Sequence, residues 1–405
     1  MLLKELNKEE YLSFTNNHNA HFLQSFEWGE LSKTRGYTPY YLGLIDKNKI
    51  VATALLLKKD LLFGYSYFYI PRGYTIDYNN LELVKEFTMK IKEFCKARKA
   101  IFFRIDPDIK YQTIDDNANF IEGENNYQLV EYLVNIGFKR RPLTKFFETM
   151  QPRYTFRIDL TKENDELNAN YSQAVRHHVK RANKYGVAIH EGTKDNIKDF
   201  ISLMKLTEKR QGFYSHPDSF YYDFYELFKD HLTILLAEID LNFILNMLNK
   251  EIDIINSMSK KDENHLNKLE KEKQFYENKI KEKNKIYVSS YFMVTYGNKS
   301  WYLYGANDME YKDTCANYKL FDYQIKKAKE LGSTIFDEFG TIGDPKTDSN
   351  LVGLHEFKKK WGGEYTEFIG EFDMVLNRFM YFVYLNLIPI RHKIINKKLR
   401  KEVRS

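Results

Sequence analysis

LELVKEFTMKIKEFCKAR, Leu81–Arg98, leads after Lys99 into AIFFRI, Ala100–Ile105. In the first run Leu83, Phe87, Ile91 and Phe94 recur at the spacing of one helical face. The second run is short and apolar, and Asp106-Pro107-Asp108 closes it like a strand. Upstream, Ile50–Leu57 and Ser66–Ile70 read as strands, and Pro71-Arg72-Gly73 ends the second. The stretch is therefore a strand–helix–strand unit.

The same order returns later in the chain. Trp301–Tyr304 (WYLY) predicts a strand stopped at Gly305, Ala316–Lys329 a helix, and Thr334–Phe339 (TIFDEF) a strand before Gly340. Each unit is followed by a helix that runs into glycine: Gln128–Ile136 before Gly137, and Leu351–Trp361 before Gly362-Gly363. Two copies of one α/β domain explain this repetition most simply. The expected boundaries are 1–150 plus about 373–405 for the first domain and 151–372 for the second. Within the second, Leu241, Leu245, Leu248, Ile252 and Ile255, then Leu266, Leu269, Lys273, Tyr276 and Ile280, trace two helical seams. They predict an antiparallel coiled-coil hairpin over about 240–285, between strands Leu232–Ile239 and Ile286–Tyr296, held by its own seam packing.

Composition agrees with a folded two-domain chain. It has 405 residues, 43% of them hydrophobic, with 30 Phe and 31 Tyr. Cys95 and Cys315 are too few for a disulfide framework or a cysteine-rich metal site, so a cytoplasmic protein is expected. Met1–Lys8 has no apolar run behind it, and no window reaches the ~18 apolar residues of a membrane span. The best attempt, Phe379–Ile390, is short and contains Asn386 and Pro389. The net charge of +6 is concentrated in Arg176–Lys184 and Arg391–Ser405. Such patches suit a polyanion or an anionic membrane face, or else are solvated helix faces.

The common catalytic signatures are absent. There is no G-x-x-x-x-G-K-[ST], H-E-x-x-H or G-x-S-x-G, and His177-His178 cannot chelate one metal from adjacent helical positions. Nor is there an R/Q-x-x-G-x-G/A loop to cradle a coenzyme A pyrophosphate, which weighs against an acyl-CoA enzyme. What remains are polar groups at predicted strand ends, where α/β sheets place ligands: Arg72, Asp106, Asp108, Arg210 with Tyr214, Tyr302, Tyr304 and Lys358. Each also has a plain structural explanation, such as turn capping for Asp106 or a helix-terminal cation for Arg210. In HEFKKKWGGEY, His355–Tyr365, Phe357 and Trp361 are four apart and share one helical face. Lys358, next to Phe357, is the lysine of the three placed to lean into a cleft.

Taken in order, YFYIPRGYTIDYNNLELV (Tyr67–Val84), IDPDIKYQ (Ile105–Gln112), RYTFRIDL (Arg153–Leu160), WYLYGAN (Trp301–Asn307) and HEFKKKWGGE (His355–Glu364) closely resemble the Fem family of peptidoglycan bridge-forming aminoacyltransferases. The resemblance implies an α/β fold of two tandem GNAT-like (acyl-CoA N-acyltransferase-like) domains, the second carrying the coiled-coil hairpin. It implies aminoacyl-tRNA as donor and no cofactor or metal. The acceptor is the stem peptide of a peptidoglycan precursor, either lipid II or UDP-MurNAc-pentapeptide. From the family pattern, Phe357-Lys358 supplies the lysine needed for transfer, and Asp106 is a second catalytic candidate. Glu208-Lys209-Arg210-Gln211-Gly212 with Tyr214 matches a precursor-binding helix end, and Tyr304 an aromatic of the same first-domain cleft. Arg72, Tyr302, Phe357 and Lys33 complete the substrate-binding set. The phosphate-binding lysine expected four residues after Trp28 is replaced by Ser32, with Lys33 one place later. With a lipid-linked acceptor, the basic C-terminal segment Arg378–Ser405 is a candidate for peripheral contact with the inner membrane face.

Overall fold

The computed structural model describes residues 1–145, 150–344, 346 and 351–386. It divides into two compact units. One comprises Met1–Thr155, Gly340–Pro345 and Tyr365–Ser405; the other comprises Phe156–Phe339 and Lys346–Glu364.

The chain opens with β1 (Leu2–Glu5), α1 (Lys8–Thr15), α2 (Phe26–Thr34), β2 (Thr38–Asp46), β3 (Lys49–Asp60) and β4 (Ser66–Ile70). It continues through α3 (Leu81–Lys96), β5 (Ala100–Ile105), β6 (Lys110–Ile114), β7 (Phe120–Asn125), α4 (Tyr127–Asn135) and β8 (Phe138–Arg140). Then come β9 (Tyr154–Asp159), α5 (Asn164–Asn170), α6 (Gln173–Lys184), β10 (Ala188–Gly192), α7 (Ile197–Gln211) and α8 (Asp218–Phe228). They are followed by β11 (Leu232–Asp240), α9 (Leu241–Ser257), α10 (Glu263–Lys279), β12 (Lys285–Tyr296) and β13 (Lys299–Asn307). The last elements are α11 (Ala316–Glu330), β14 (Ile335–Thr341), α12 (Val352–Lys359), β15 (Glu364–Phe368) and β16 (Phe372–Val375).

In the first unit the sheet order is β1-β2-β3-β4-β5-β16-β8. Strands β2, β3 and β4 are antiparallel neighbours, whereas β4 and β5 are parallel and joined by α3. A parallel pair needs such a crossover, so the predicted strand–helix–strand unit is a βαβ motif. Helix α3 buries Val84, Phe87, Ile91 and Cys95, with the expected Leu83 and Phe94 at the edges of that face. The core lies between α3 and the sheet, around Phe68, Phe87, Phe103 and Phe372. Tyr381 and Tyr384 pack on Phe102 of the same unit. The basic stretch Arg391–Ser405 lies outside the described residues.

The second unit repeats the order. β11, β12 and β13 are antiparallel neighbours, and β13 runs parallel to β14 through α11. Its own core joins Tyr291, Leu320, Phe321, Phe336 and Trp361. One difference separates the repeats. β2 and β3 are joined by a tight turn with Lys47 and Asn48 at φ 45° and 65°, the backbone of a two-residue hairpin. At the equivalent joint between β11 and β12 stand α9 and α10.

This helical pair buries Leu241, Ile244, Leu248 and Ile255 on one helix and Leu266, Leu269 and Tyr276 on the other. The two helices of the pair pack on each other, and the pair also has a backing that the spacing did not reveal. Its core side chains join Tyr185 and Tyr311 of the unit behind it. Lys184–Glu251 (2.7 Å), Tyr185 Oη to Glu272 (2.7 Å) and Lys279–Glu310 (2.9 Å) tie it down further. Two helices of 17 residues are marginal alone, and this backing supplies what their length does not. No helix among the described residues is long and apolar enough to cross a membrane.

Candidate active site

Helix α12 ends beside an aromatic wall of the second unit. Phe357 packs against Phe321 (5.2 Å between ring centroids) and Tyr318 (5.4 Å), and the buried Trp361 lies 5.0 Å from Tyr171 and 4.7 Å from Phe321. These anchors fix the rotation of the helix, and Lys358 is thereby carried inward until only 3% of it is exposed. Lys359 and Lys360 remain partly exposed. The helix stops two residues earlier than its periodicity predicts. Gly362 then turns the chain at φ +78°, where a Cβ would meet the Asn170 carbonyl.

The Lys358 ammonium donates a hydrogen bond to the Phe339 carbonyl (3.1 Å) and lies 5.5 Å from the centre of the Tyr302 ring. Burial lowers its pKa to about 8, against the opposing pull of Glu338 and then Asp337. Phe339 has φ +58°, a left-handed backbone that costs a non-glycine residue about 1 kcal/mol or more. Its N–H is fastened to Asp337 Oδ1 (2.8 Å), and Asp337 in turn accepts from Arg157 Nε (2.8 Å). Such strain persists where surrounding bonds enforce it, and here it aims a carbonyl at a buried cation.

Glu338 was not singled out from the sequence, nor were Asp337 and Phe339. Yet Glu338 is completely buried, and among the described residues neither of its carboxyl oxygens has a hydrogen-bond partner. Burial pushes its pKa well above the ordinary carboxylate range, with Lys358 opposing. The signal was present in TIFDEFG: two adjacent acids inside an apolar strand, just before a glycine.

Tyr302 and Tyr304 were expected in one binding set, but a β-bulge separates them. Met293 of β12 pairs with Tyr302 and Phe292 with Tyr304, so two steps on β13 answer one on β12. Tyr302 therefore meets Tyr291 (4.9 Å) and Phe321 (5.1 Å), on the face that carries Lys358. Tyr304 meets Phe220, Tyr221 and Phe292 on the other face. β13 also runs through Gly305 to Asn307 instead of stopping there. A Cβ at Gly305 would strike the Tyr302 hydroxyl, so the glycine makes room for that ring and does not end the strand.

Arg210, Tyr214 and Tyr304 belong to the second unit. Tyr214 and Tyr304 line a pocket of about 360 Å³ with Met204, Phe213, His216 and Tyr221. Tyr214 is 99% exposed, and Arg210 donates to the Asn307 carbonyl (3.0 Å) where α7 ends.

The remaining candidates lie in the first unit. Asp106 is buried, accepting from the Arg72 backbone N–H (2.8 Å) and Tyr69 Oη (3.0 Å). Burial raises its pKa to about 7, although the Arg72 charge pulls the other way. Arg72 is itself buried: its guanidinium donates to the Pro152 carbonyl (3.0 Å) and stacks over Phe368 at 4.6 Å. Its backbone has φ +56°, so Asp106 also pins a strained turn. Lys33 is exposed at the end of α2 and paired with Glu30 (2.7 Å), while Ser32 turns inward to the Trp28 carbonyl. No group of three metal-ligating side chains occurs among the described residues.

Two α/β units, each built on a βαβ crossover, with a lysine buried at the strand ends of the second, define the class of this chain. Over residues 6–387 it matches the FemAB family, to which it belongs. It is similar to the lipid II:glycine glycyltransferase of Staphylococcus aureus (strain bovine RF122 / ET3-1), with 29% identity over 428 residues covering 98% of this chain and 99% of the relative. The enzyme of the same name from Staphylococcus epidermidis (strain ATCC 35984 / DSM 28319 / BCRC 17069 / CCUG 31568 / BM 3577 / RP62A) is 29% identical over 407 residues, with 95% of each chain covered. Among solved structures, that of FemX superposes with a TM-score of 0.77 at 28% identity, covering 95% of this chain and 99% of FemX.

Proposed function

We propose that this protein transfers an aminoacyl group (glycyl, alanyl or seryl) from aminoacyl-tRNA to the side-chain amine of a peptidoglycan stem peptide, building the interpeptide bridge. The names of the relatives support lipid II as the acceptor and glycine as the first donor to test. UDP-MurNAc-pentapeptide is the second acceptor to test. The reading takes the two units as tandem GNAT-like domains and the helical pair as a coiled-coil arm. It places the protein in the cytoplasm, at the inner membrane face when the acceptor is lipid-linked.

The observation that carries it is Lys358: a buried ammonium held by a strained carbonyl over an aromatic ring. In the reaction the neutral acceptor amine attacks the ester carbonyl carbon of the donor. A C–N bond forms as the carbonyl π electrons move to oxygen. Lys358 stabilises that oxyanion, a contribution typically worth about 3 kcal/mol. Collapse expels the tRNA terminal ribose oxygen, and the proton shed by nitrogen ends on that leaving oxygen. Within the first unit, Asp106 titrates near neutrality and is the candidate to take up the acceptor's proton in transit. No covalent enzyme intermediate is needed.

The test is transfer from tRNA charged with labelled Gly, Ala or Ser to lipid II or to UDP-MurNAc-pentapeptide. Label incorporated into precursor supports the reading. Silence with every donor and acceptor, or activity only with an acyl-CoA, overturns it.

A further inference from the structure

The proposed function assigns Lys358 a role but leaves Glu338 without one. The two are brought together by the parallel pair β13–β14. Ser300 pairs with Phe336 and Trp301 with Asp337, the last pair of that ladder; Tyr302 and Glu338 are the next residue on each strand, close enough for the Glu338 charge to act on the Tyr302 hydroxyl. Alternation along β14 puts Glu338 on the same side as Phe336, whose ring meets Phe321 (5.7 Å). Tyr302 meets the same Phe321, and Lys358 reaches over Tyr302 from α12. Glu338, Tyr302 and Lys358 thus share one buried corner at the strand ends.

An ammonium in such a corner keeps its charge only with a counter-charge near it. Among the described residues, the charged groups that act on Lys358 are Glu338 and then Asp337 on β14, with the Tyr302 ring of β13 beside it; Arg157 on β9 pairs with Asp337, and His355 lies one turn earlier on α12. Asp337 is committed to Arg157 at 2.8 Å and to the Phe339 N–H, so its charge is already answered by a cation. His355 is buried against Phe156 and supplies no negative charge. Tyr302 offers a ring face, which attracts a cation but carries no negative charge. Glu338 is the acid whose carboxyl oxygens are left without a hydrogen bond among the described residues.

We propose that Glu338 is the positioning residue of this site: its buried carboxyl, in its ionised form, is the counter-charge that keeps the Lys358 ammonium charged and seated over Tyr302. The electrostatic coupling runs both ways: after burial, Glu338 is the larger charge acting on Lys358, and Lys358 the larger charge acting on Glu338. Glu338 acts through Lys358 and need not touch either substrate. This inference rests on the proposed transfer function and deepens it.

The test is the pH profile of transfer by the full chain carrying Glu338→Gln, Glu338→Asp or neither. If transfer needs a charged Lys358, the wild-type rate falls as pH rises through about 8. Glu338→Gln keeps the shape but removes the charge, so its fall begins at least about one pH unit lower, a loss of about fivefold or more relative to wild type at the wild-type midpoint. Glu338→Asp restores most of that shift, and KM for the precursor stays within about twofold throughout. A Glu338→Gln profile that only scales down, without moving along the pH axis, overturns the proposal and leaves a packing role.

A second readout does not use activity. A lysine whose pKa is lower folded than unfolded binds fewer protons when folded, so stability rises with pH between about 8 and its ordinary value. Taken as the difference from Lys358→Met, that rise begins at lower pH in Glu338→Gln. If wild type transfers nothing, the proposed function fails, while the stability curves still decide the pairing. If wild type transfers and both readouts stay fixed in Glu338→Gln, the pairing alone fails.

Discussion

Tyr302 and Tyr304 stand two residues apart on one strand, yet the bulge between them turns their rings to opposite faces of the sheet. Tyr302 supports Lys358, whereas Tyr304 lines the pocket that holds Tyr214. Their rings pack on different faces, Tyr302 on Tyr291 and Phe321 and Tyr304 on Phe220 and Tyr221, so their contributions should be nearly independent. Tyr302→Ala is expected to lower kcat about tenfold by removing the cation–π seat, with a smaller loss for Tyr302→Phe. The double variant Tyr302→Ala/Tyr304→Ala should show the sum of the single effects within about 0.5 kcal/mol. A coupling above about 1 kcal/mol in the transfer rates would mean that the two rings serve one site.

Lys358→Met should reduce transfer by about a hundredfold or more, the usual effect of losing an oxyanion donor. Precursor binding, followed by calorimetry, should change little, because the ammonium is assigned to the donor's ester and not to the precursor. Lys358→Arg keeps a charge that does not titrate below pH 12. Its residual activity should therefore lack the decline above pH 8. A wild-type rate that stays flat from pH 7 to 9.5 would contradict a requirement for the charged lysine.

Asp106 gives a prediction about stability. Its folded pKa of about 7 lies above the ordinary carboxylate value, so between about pH 4 and 7 the folded chain holds a proton that the unfolded chain has lost. This group therefore makes stability fall as pH rises through that window. Asp106→Asn should remove that fall, and its Oδ1 can still accept from the Arg72 N–H. Melting temperatures at pH 5 and 7.5 test this: the gap between wild type and variant should widen in the variant's favour at pH 7.5. An unchanged gap would mean that Asp106 is ionised throughout.

Much of this architecture can be read from the order of residues, because apolar spacing and glycine punctuation act locally. Leu81–Lys96 and Ala100–Ile105 form where their periodicities place them, and so do Ala316–Glu330 and Ile335–Thr341. The inward turn of Lys358 was legible from the Phe357–Trp361 bracket. The bulge at Tyr302 was not, since it depends on pairing with Phe292 and Met293 across the sheet. Glu338 was hidden for the same kind of reason. An acid in a strand reads as a strand-end polar residue until the β13–β14 ladder, ending at Trp301–Asp337, brings it near Tyr302. The backing of the helical pair by Tyr185 and Tyr311 also depends on residues far away in the chain. Periodicity shows that a helix has an apolar face, but not what covers it.

The turn after α12 should be as sensitive as the lysine it follows. Gly362 has φ +78°, and a Cβ there would lie 2.6 Å from the Asn170 carbonyl oxygen, a backbone atom that cannot swing away. Gly332 is the matched comparison: its φ is +85°, but nothing lies within 4 Å of its Cβ position. Both alanine substitutions pay the left-handed strain of about 1 kcal/mol, and only Gly362→Ala adds a collision. Gly362→Ala should therefore melt lower than Gly332→Ala, by at least about 2 °C for each further kcal/mol. The shift should also reach Trp361, which precedes Gly362 and packs on Tyr171 and Phe321, and through it Lys358. At a temperature where both variants are folded, Gly362→Ala is expected to lose transfer activity at least tenfold while Gly332→Ala keeps it. Equal melting points for the two would show that the chain around Asn170 yields, and that this turn does not hold the lysine in place.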